Sequence, residues 1–192
     1  MVENCFGCVR PNAPCLMNPF DQVGGSRNRR LSLLRVRWLS FGCWLLLAQI
    51  CQTRAKRRYA AAAGFYADAF AAEPDLARYL PAGHRYNAAC SAVLATSGQG
   101  QDDSKSDDKD RTCLRRQALD WLRADLAAWT KRVDGGKPVD RAAAVATLTR
   151  WQNDDDLAGV RHSWSLLRLP ADERRQWQKL WADVDALLKR AQ

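Results

Sequence analysis

Near the C-terminal end of the chain, apolar residues fall at Trp177, Leu180, Trp181, Val184, Leu187 and Leu188, a rhythm of threes and fours that lines one face of a helix. Pro170 suits a first helical turn, Asp172 and Glu173 sit at the positive end, and Lys189 and Arg190 sit at the negative end. The pattern therefore predicts a helix over 170–190. Leu114, Ala118, Trp121, Leu122, Leu126 and Trp129 form a broad apolar face that predicts a second helix over 111–132, stopped by Asp134-Gly135-Gly136. Pro138 opens a third over 138–151, with Ala142, Val145, Leu148 and Trp151 expected inward. Further upstream, Tyr59, Phe65, Tyr66 and Phe70 share a face with Ala62 and Ala69, and Pro74 ends that segment because the residue before a proline disfavours the helical region. Residues 84–95 read as one more helix. Between them, residues 97–110 carry five Asp and no large apolar side chain and read as a polar loop. No stretch alternates with period two over strand length, so the predicted class is all-α.

Charge divides the chain. Its 192 residues carry a formal +9 with a pI near 9.5, but residues 1–58 hold 10 basic and 2 acidic side chains while the remainder is close to neutral. The basic excess belongs to an appendage and not to the helices, so recognition of a specific nucleic acid is not expected. Residues 1–30 contain three Pro and clustered turn residues without periodicity, and residues 1–44 are expected to be irregular or disordered, with a helical domain over 45–192. Non-specific attraction of the basic segment to phosphate or anionic lipid is an alternative role. The apolar run over 38–51 has 14 residues, short of the roughly 20 that span a bilayer. It is read as a buried helix and not as a membrane anchor.

Candidate chemistry is sparse. Cys5, Cys8 and Cys15 supply half of a zinc motif without the paired second half, and the 7 Cys, an odd number, fit a reduced cytoplasmic setting better than a disulfide scaffold. Cys90 and Cys113 read as small core or helix-face residues. The Asp runs at 102–110 and 154–156 lack the spacing, Gly and Glu of a calcium loop. His84 and His162 are the only imidazoles, with no nucleophile motif beside them. Six of the eight Trp, at 121, 129, 151, 164, 177 and 181, lie in the neutral part; most fit apolar helix faces, and core packing is the favoured reading over base stacking. No catalytic, cofactor-binding or metal-binding residue is expected.

A repeat accounts for the helices. Tyr59, Ala62, Tyr66, Ala69 and Pro74 are spaced as in the second helix of a tetratricopeptide repeat, where small residues admit a close neighbour and an aromatic fills the gap. Residues 45–51 would be the first helix of that unit. Residues 85–94 then resemble the first helix of the next, with Ala118 and Leu122 placed like Ala62 and Tyr66; a third pair, 138–151 with 170–190, continues the stack. The offset from Ala62 to Ala118 is 56 residues against about 34 in the repeat, the polar loop supplying part of the excess. The wording of RRYAAAAGFYADAFAAEPDLA, GHRYNAACSAVLA and RRQALDWLRADLAAW is similar to the C-terminal tetratricopeptide region of large bacterial serine/threonine protein kinases. No Gly-rich loop, His-Arg-Asp or Asp-Phe-Gly motif accompanies it, so the kinase domain is absent. The resemblance implies antiparallel helical pairs stacked as a short array, a non-enzymatic role in binding a protein or peptide, association with a kinase, and no cofactor. The alternative is a kinase fragment acting only in that context. Contact residues are expected from the first helices of the pairs, with Arg85, Tyr86 and Asn87 foremost.

Overall fold

The computed structural model describes residues 41–53, 56–102 and 107–192. The expectations for Cys5, Cys8, Cys15 and most of the 1–44 segment lie outside the described residues. Within them the protein is all-α, with no strand. Helix α1 (Phe41–Gln52) begins before the boundary predicted at residue 45. It is followed by α2 (Tyr59–Ala72), a short α3 (Pro74–Arg78) and a 3-10 turn at Leu80–Ala82. Next come α4 (His84–Leu94), the long α5 (Asp108–Asp134) and α6 (Pro138–Asn153). A 3-10 turn at Asp155–Leu157, two single-turn helices, α7 (Ala158–Arg161) and α8 (Ser163–Leu166), and α9 (Ala171–Ala191) complete the chain.

Local chemistry sets these boundaries. Asp107 caps α5 by accepting the Asp110 N–H on Oδ1 at 2.8 Å, and Asp108 and Asp110 in the first turn and Lys131 and Arg132 in the last each complement their end of the helix dipole. Pro74 and Pro138 open α3 and α6, where a missing N–H costs nothing. Gly83 enters α4 at φ 63°, a left-handed conformation that a side chain would oppose.

Contacts across the helices reveal how the pairs are arranged. Arg58 N–H bonds the Cys51 carbonyl at 2.9 Å, and the Trp44 and Phe65 rings lie 5.6 Å apart, so α1 and α2 run antiparallel. Ala48 and Ala88 share one buried cluster while Gln52 accepts the Ser91 hydroxyl at 3.1 Å, which sets α1 and α4 parallel. Tyr86 stacks on Trp151 and Cys90 lies beside Asp154, which sets α4 and α6 parallel as well. On the other layer Arg115 pairs with Glu173 at 2.5 Å and Asp134 with Arg190 at 2.9 Å, so α5 and α9 are parallel. Helices α1, α4 and α6 thus form one layer, and α2, α5 and α9 belong to the other.

Small residues carry the close approach between α1, α2 and α4. Ala48, Ala62, Ala63, Tyr66, Ala69, Ala88 and Ala89 have no accessible surface, and Tyr59 is buried beside them. Ala118 and Leu122 are equally enclosed on α5, whereas Pro74 is exposed at the start of α3. Trp151, Trp177, Leu148, Leu180 and Val184 fill the α6–α9 end of the core. On α6 the inward residues are Ala144, Leu148 and Trp151; the expected Ala142 is exposed and Val145 only half-buried. The helix is turned so that Ala144, one helical turn before Leu148, meets the core. Trp164, assigned to the core from composition, is 59% exposed. Cys113 is half-buried on α5 and disulfide-bonded. Among the described residues no helix is long and apolar enough to cross a membrane.

Candidate functional site

The three residues expected to contact a partner sit together on the first turn of α4, and the fold uses two of them internally. Arg85 Nη1 donates to Asp125 Oδ1 at 3.0 Å, with only 14% of its side chain and 5% of that of Asp125 exposed. Burial pushes the Asp125 carboxyl up to about 6, against the pull of the Arg85 guanidinium. Tyr86 is buried; its ring stacks on Trp151 at 5.7 Å and lies under the Arg150 guanidinium at 5.1 Å. Its hydroxyl donates to Asp154 Oδ2. Asn87, half-buried, gives its carbonyl to the Ser91 hydroxyl at 2.9 Å.

Much of the remainder of α4 is enclosed too. Residues 88–94 are all buried, and the segment after α6 lies over them: a Cβ added to Gly159 would meet Val93 Cγ1 at 3.8 Å, and Leu157 and Val160 are buried in the same core. A partner groove along 85–94 is therefore filled by the chain itself. The sequence showed the helix but not the strap that crosses it.

Cys90, Asp154 and Asp156 bring one donor atom each within 4.8 Å of one another. Their chemistry points to a closed polar knot. Asp154 already accepts the Tyr86 hydroxyl and the Asp156 N–H at 3.0 Å, and it faces Arg150 Nε at 3.7 Å. Burial, then the two carboxylates, pushes the Cys90 thiol well above its usual range, which keeps it protonated and unreactive. The Tyr86 phenol is raised as well, by burial first and then by its neighbours Cys90 and Asp154, the latter accepting its proton in a hydrogen bond. His84 is half-buried and shifted down by desolvation.

A shallow depression of about 430 Å³ on the α5–α9 surface is lined by Arg123, Asp172, Arg175, Gln176 and Lys179. Arg175 pairs with Asp172 and Lys179 with Asp183 at 2.9 Å, while Arg123 donates to the neutral Gln176 side chain at 3.3 Å. One positive charge, on Arg123, is thus held only by an amide.

The exposed feature with the composition of a contact site lies on α8. Trp164 and Leu167 are 59% and 69% exposed, one helical turn apart, while Ser165 and Leu166 between them are buried. Arg168 sits over the Trp164 ring at 5.7 Å, and His162 flanks it at 5.8 Å. Just before α8, Arg161 Nη1 donates to the carbonyls of Trp151 at 3.2 Å and Asp154 at 2.5 Å, tying the strap to the end of α6. The Trp181 indole donates to the Val160 carbonyl at 2.8 Å and ties it to α9. An exposed Trp is thus held on a fixed support.

The fold and these surfaces define an all-α protein of stacked helical pairs with α4 enclosed by the chain itself and an exposed aromatic patch. Comparison of the chain with family models, with curated proteins and with solved structures returns no match.

Proposed function

We propose that this chain is a non-enzymatic, tetratricopeptide-like module that binds a protein or peptide partner through Trp164 on α8 and Leu167 and Arg168 just after it. What carries the reading is an exposed Trp and Leu, one turn apart and beside an Arg, on a strap anchored at both sides. Trp and Arg dominate the energetics of protein contacts, and a rigid support lowers the ordering cost of binding. The parallel runs α1–α4–α6 and α5–α9 support the comparison with helical-pair repeats, whose stacked units serve as binding scaffolds. A protein kinase is the partner class suggested by the sequence resemblance.

The test is capture by the immobilised full chain, with cross-linked partners identified by mass spectrometry, repeated with Trp164→Ala and Leu167→Ala. Both variants should lose the partner at an unchanged melting temperature, since neither side chain is buried. Equal capture by both would count against this surface, and ATP-dependent phosphate transfer by the purified chain would count against a non-enzymatic role.

A further inference from the structure

Helix α1 is another place where the protein spends apolar surface on solvent, and the one outside the strap where two such side chains lie a turn apart among the described residues. It contains no charged residue. Trp44 and Ala48 point into the molecule, while Leu46 and Ile50, one turn apart, are 56% and 44% exposed, with Gln49 exposed beside them. At about 18 Å the helix is too short to cross a bilayer, and it ends in a basic corner: Lys56, Arg57 and Arg58 are all exposed.

The corner is held under the last turn of α1. Thr53 N–H reaches the Ile50 carbonyl at 3.3 Å, and the Thr53 hydroxyl reaches the same oxygen at 2.9 Å. Lys56 and Arg57 N–H bond the Thr53 carbonyl at 3.0 and 2.8 Å, and Arg58 N–H bonds the Cys51 carbonyl at 2.9 Å. Arg57 adopts φ 47°, the left-handed turn that brings the chain back. These carbonyls at the helix end consequently have partners and tolerate partial dehydration. Among the described residues no carboxylate forms an ion pair with Lys56, Arg57 or Arg58. Asp102 is tied to the corner through the Gln101 N–H bond to the Arg57 carbonyl, but its Oδ2 accepts the Ala61 N–H at 3.0 Å and its Oδ1 is buried. One negative charge lies beneath three positive ones that face outward.

An uncharged helix with an aliphatic outer ridge and cations at its end has the chemistry of an interfacial element. We propose that this face docks on an anionic lipid surface, with Leu46 and Ile50 entering the headgroup–acyl boundary and Lys56, Arg57 and Arg58 meeting lipid phosphates and carboxylates. Lipid is favoured over a protein partner because the ridge offers branched aliphatics without an aromatic anchor, and three long cationic side chains that adapt to a diffuse negative surface. The proposal is separate from the α8 contact and stands or falls without it.

The experiment is co-sedimentation of the full chain with phosphatidylcholine vesicles, with and without phosphatidylserine, at low and high salt. The chain should bind the vesicles containing phosphatidylserine, bind pure phosphatidylcholine far more weakly, and release with salt. Replacing all three cations (Lys56→Gln, Arg57→Gln, Arg58→Gln) should weaken binding roughly a hundredfold. Leu46→Gln with Ile50→Gln should weaken it roughly tenfold, with an unchanged melting temperature for both variants. The proposal is overturned by a wild-type chain that does not bind, by equal binding of either variant, or by light scattering in which Leu46→Gln/Ile50→Gln converts a dimer to a monomer without altering vesicle binding. That last result would assign the ridge to a second copy of the chain.

Discussion

Replacing Arg85 with Ala tests whether the first turn of α4 belongs to the core or to a binding surface. The guanidinium is 14% exposed and its partner Asp125 5% exposed, so removing the cation leaves a buried carboxylate without its charge partner. Breaking such a pair from one side costs about 3 kcal/mol or more, a fall in melting temperature of roughly 10 °C for a chain of this size. The cost depends on pH in a direction that can be worked out. The Asp125 carboxyl titrates near 3.8 in the unfolded chain and at about 6 in the folded one. Between those values the folded chain holds more protons, so its stability falls as pH rises. The favourable contribution is complete below about pH 4 and lost above about pH 6, a span of about 3 kcal/mol.

Two variants separate these effects. Arg85→Ala should be costly at neutral pH and cost only about 1 kcal/mol near pH 5, where the carboxyl is largely protonated and one hydrogen bond and some packing are lost. Asp125→Asn should remove the pH slope, and added to Arg85→Ala it should restore part of the stability at neutral pH. Urea unfolding followed by far-UV circular dichroism at both pH values measures all four proteins. A loss below about 1 kcal/mol at neutral pH, or the same loss at both pH values, would refute the buried-pair reasoning and return Arg85 to the surface.

Tyr86→Phe removes the donor to Asp154 while keeping the Trp151 stack, and should cost about 1–2 kcal/mol by chemical denaturation; Tyr86→Leu should cost more because the stack and the Arg150 contact go too. Gly64→Ala should stabilise by about 1 kcal/mol in thermal unfolding, since an added Cβ meets nothing within 4 Å and glycine weakens a helix interior. Ala62→Leu, two residues before Gly64 and fully enclosed, should instead cost about 1–3 kcal/mol through overpacking. Cys90 should resist alkylation in the native protein at neutral pH and react fully in denaturant, read by peptide mass spectrometry; native labelling would contradict its burial and raised thiol.

The helices were legible where the determinants are local. The predicted 84–95 and 170–190 correspond closely to His84–Leu94 and Ala171–Ala191, because glycine, proline and end charges act within a turn of themselves. Pro74 was read as a stop and is also a start, opening α3, since the residue that ends one helix suits the first turn of the next. The strap was not legible. Helices α7 and α8 have four residues each, too few for a period to show, and composition alone sent Trp164 to the core. Once the strap is missed, the exposed side of α4 is misjudged, because what fills that side comes from Leu157, Gly159 and Val160, more than sixty positions along the chain.

One signal for Arg85 was nonetheless present in the sequence. Asp125 lies between Leu122, Leu126 and Trp129 on the apolar face of α5, a position where a lone carboxylate requires a cation. The helix it faces offers one, since α4 contains a single Arg and no Lys. Reading an acid on an apolar face as a demand on the neighbouring helix would have assigned Arg85 to the fold before assigning it to a partner. The same rule does not reach Trp164: Val160, Trp164 and Leu167 fall at helical spacing in the sequence, and it is the break between α7 and α8 that buries Val160 and leaves the other two exposed.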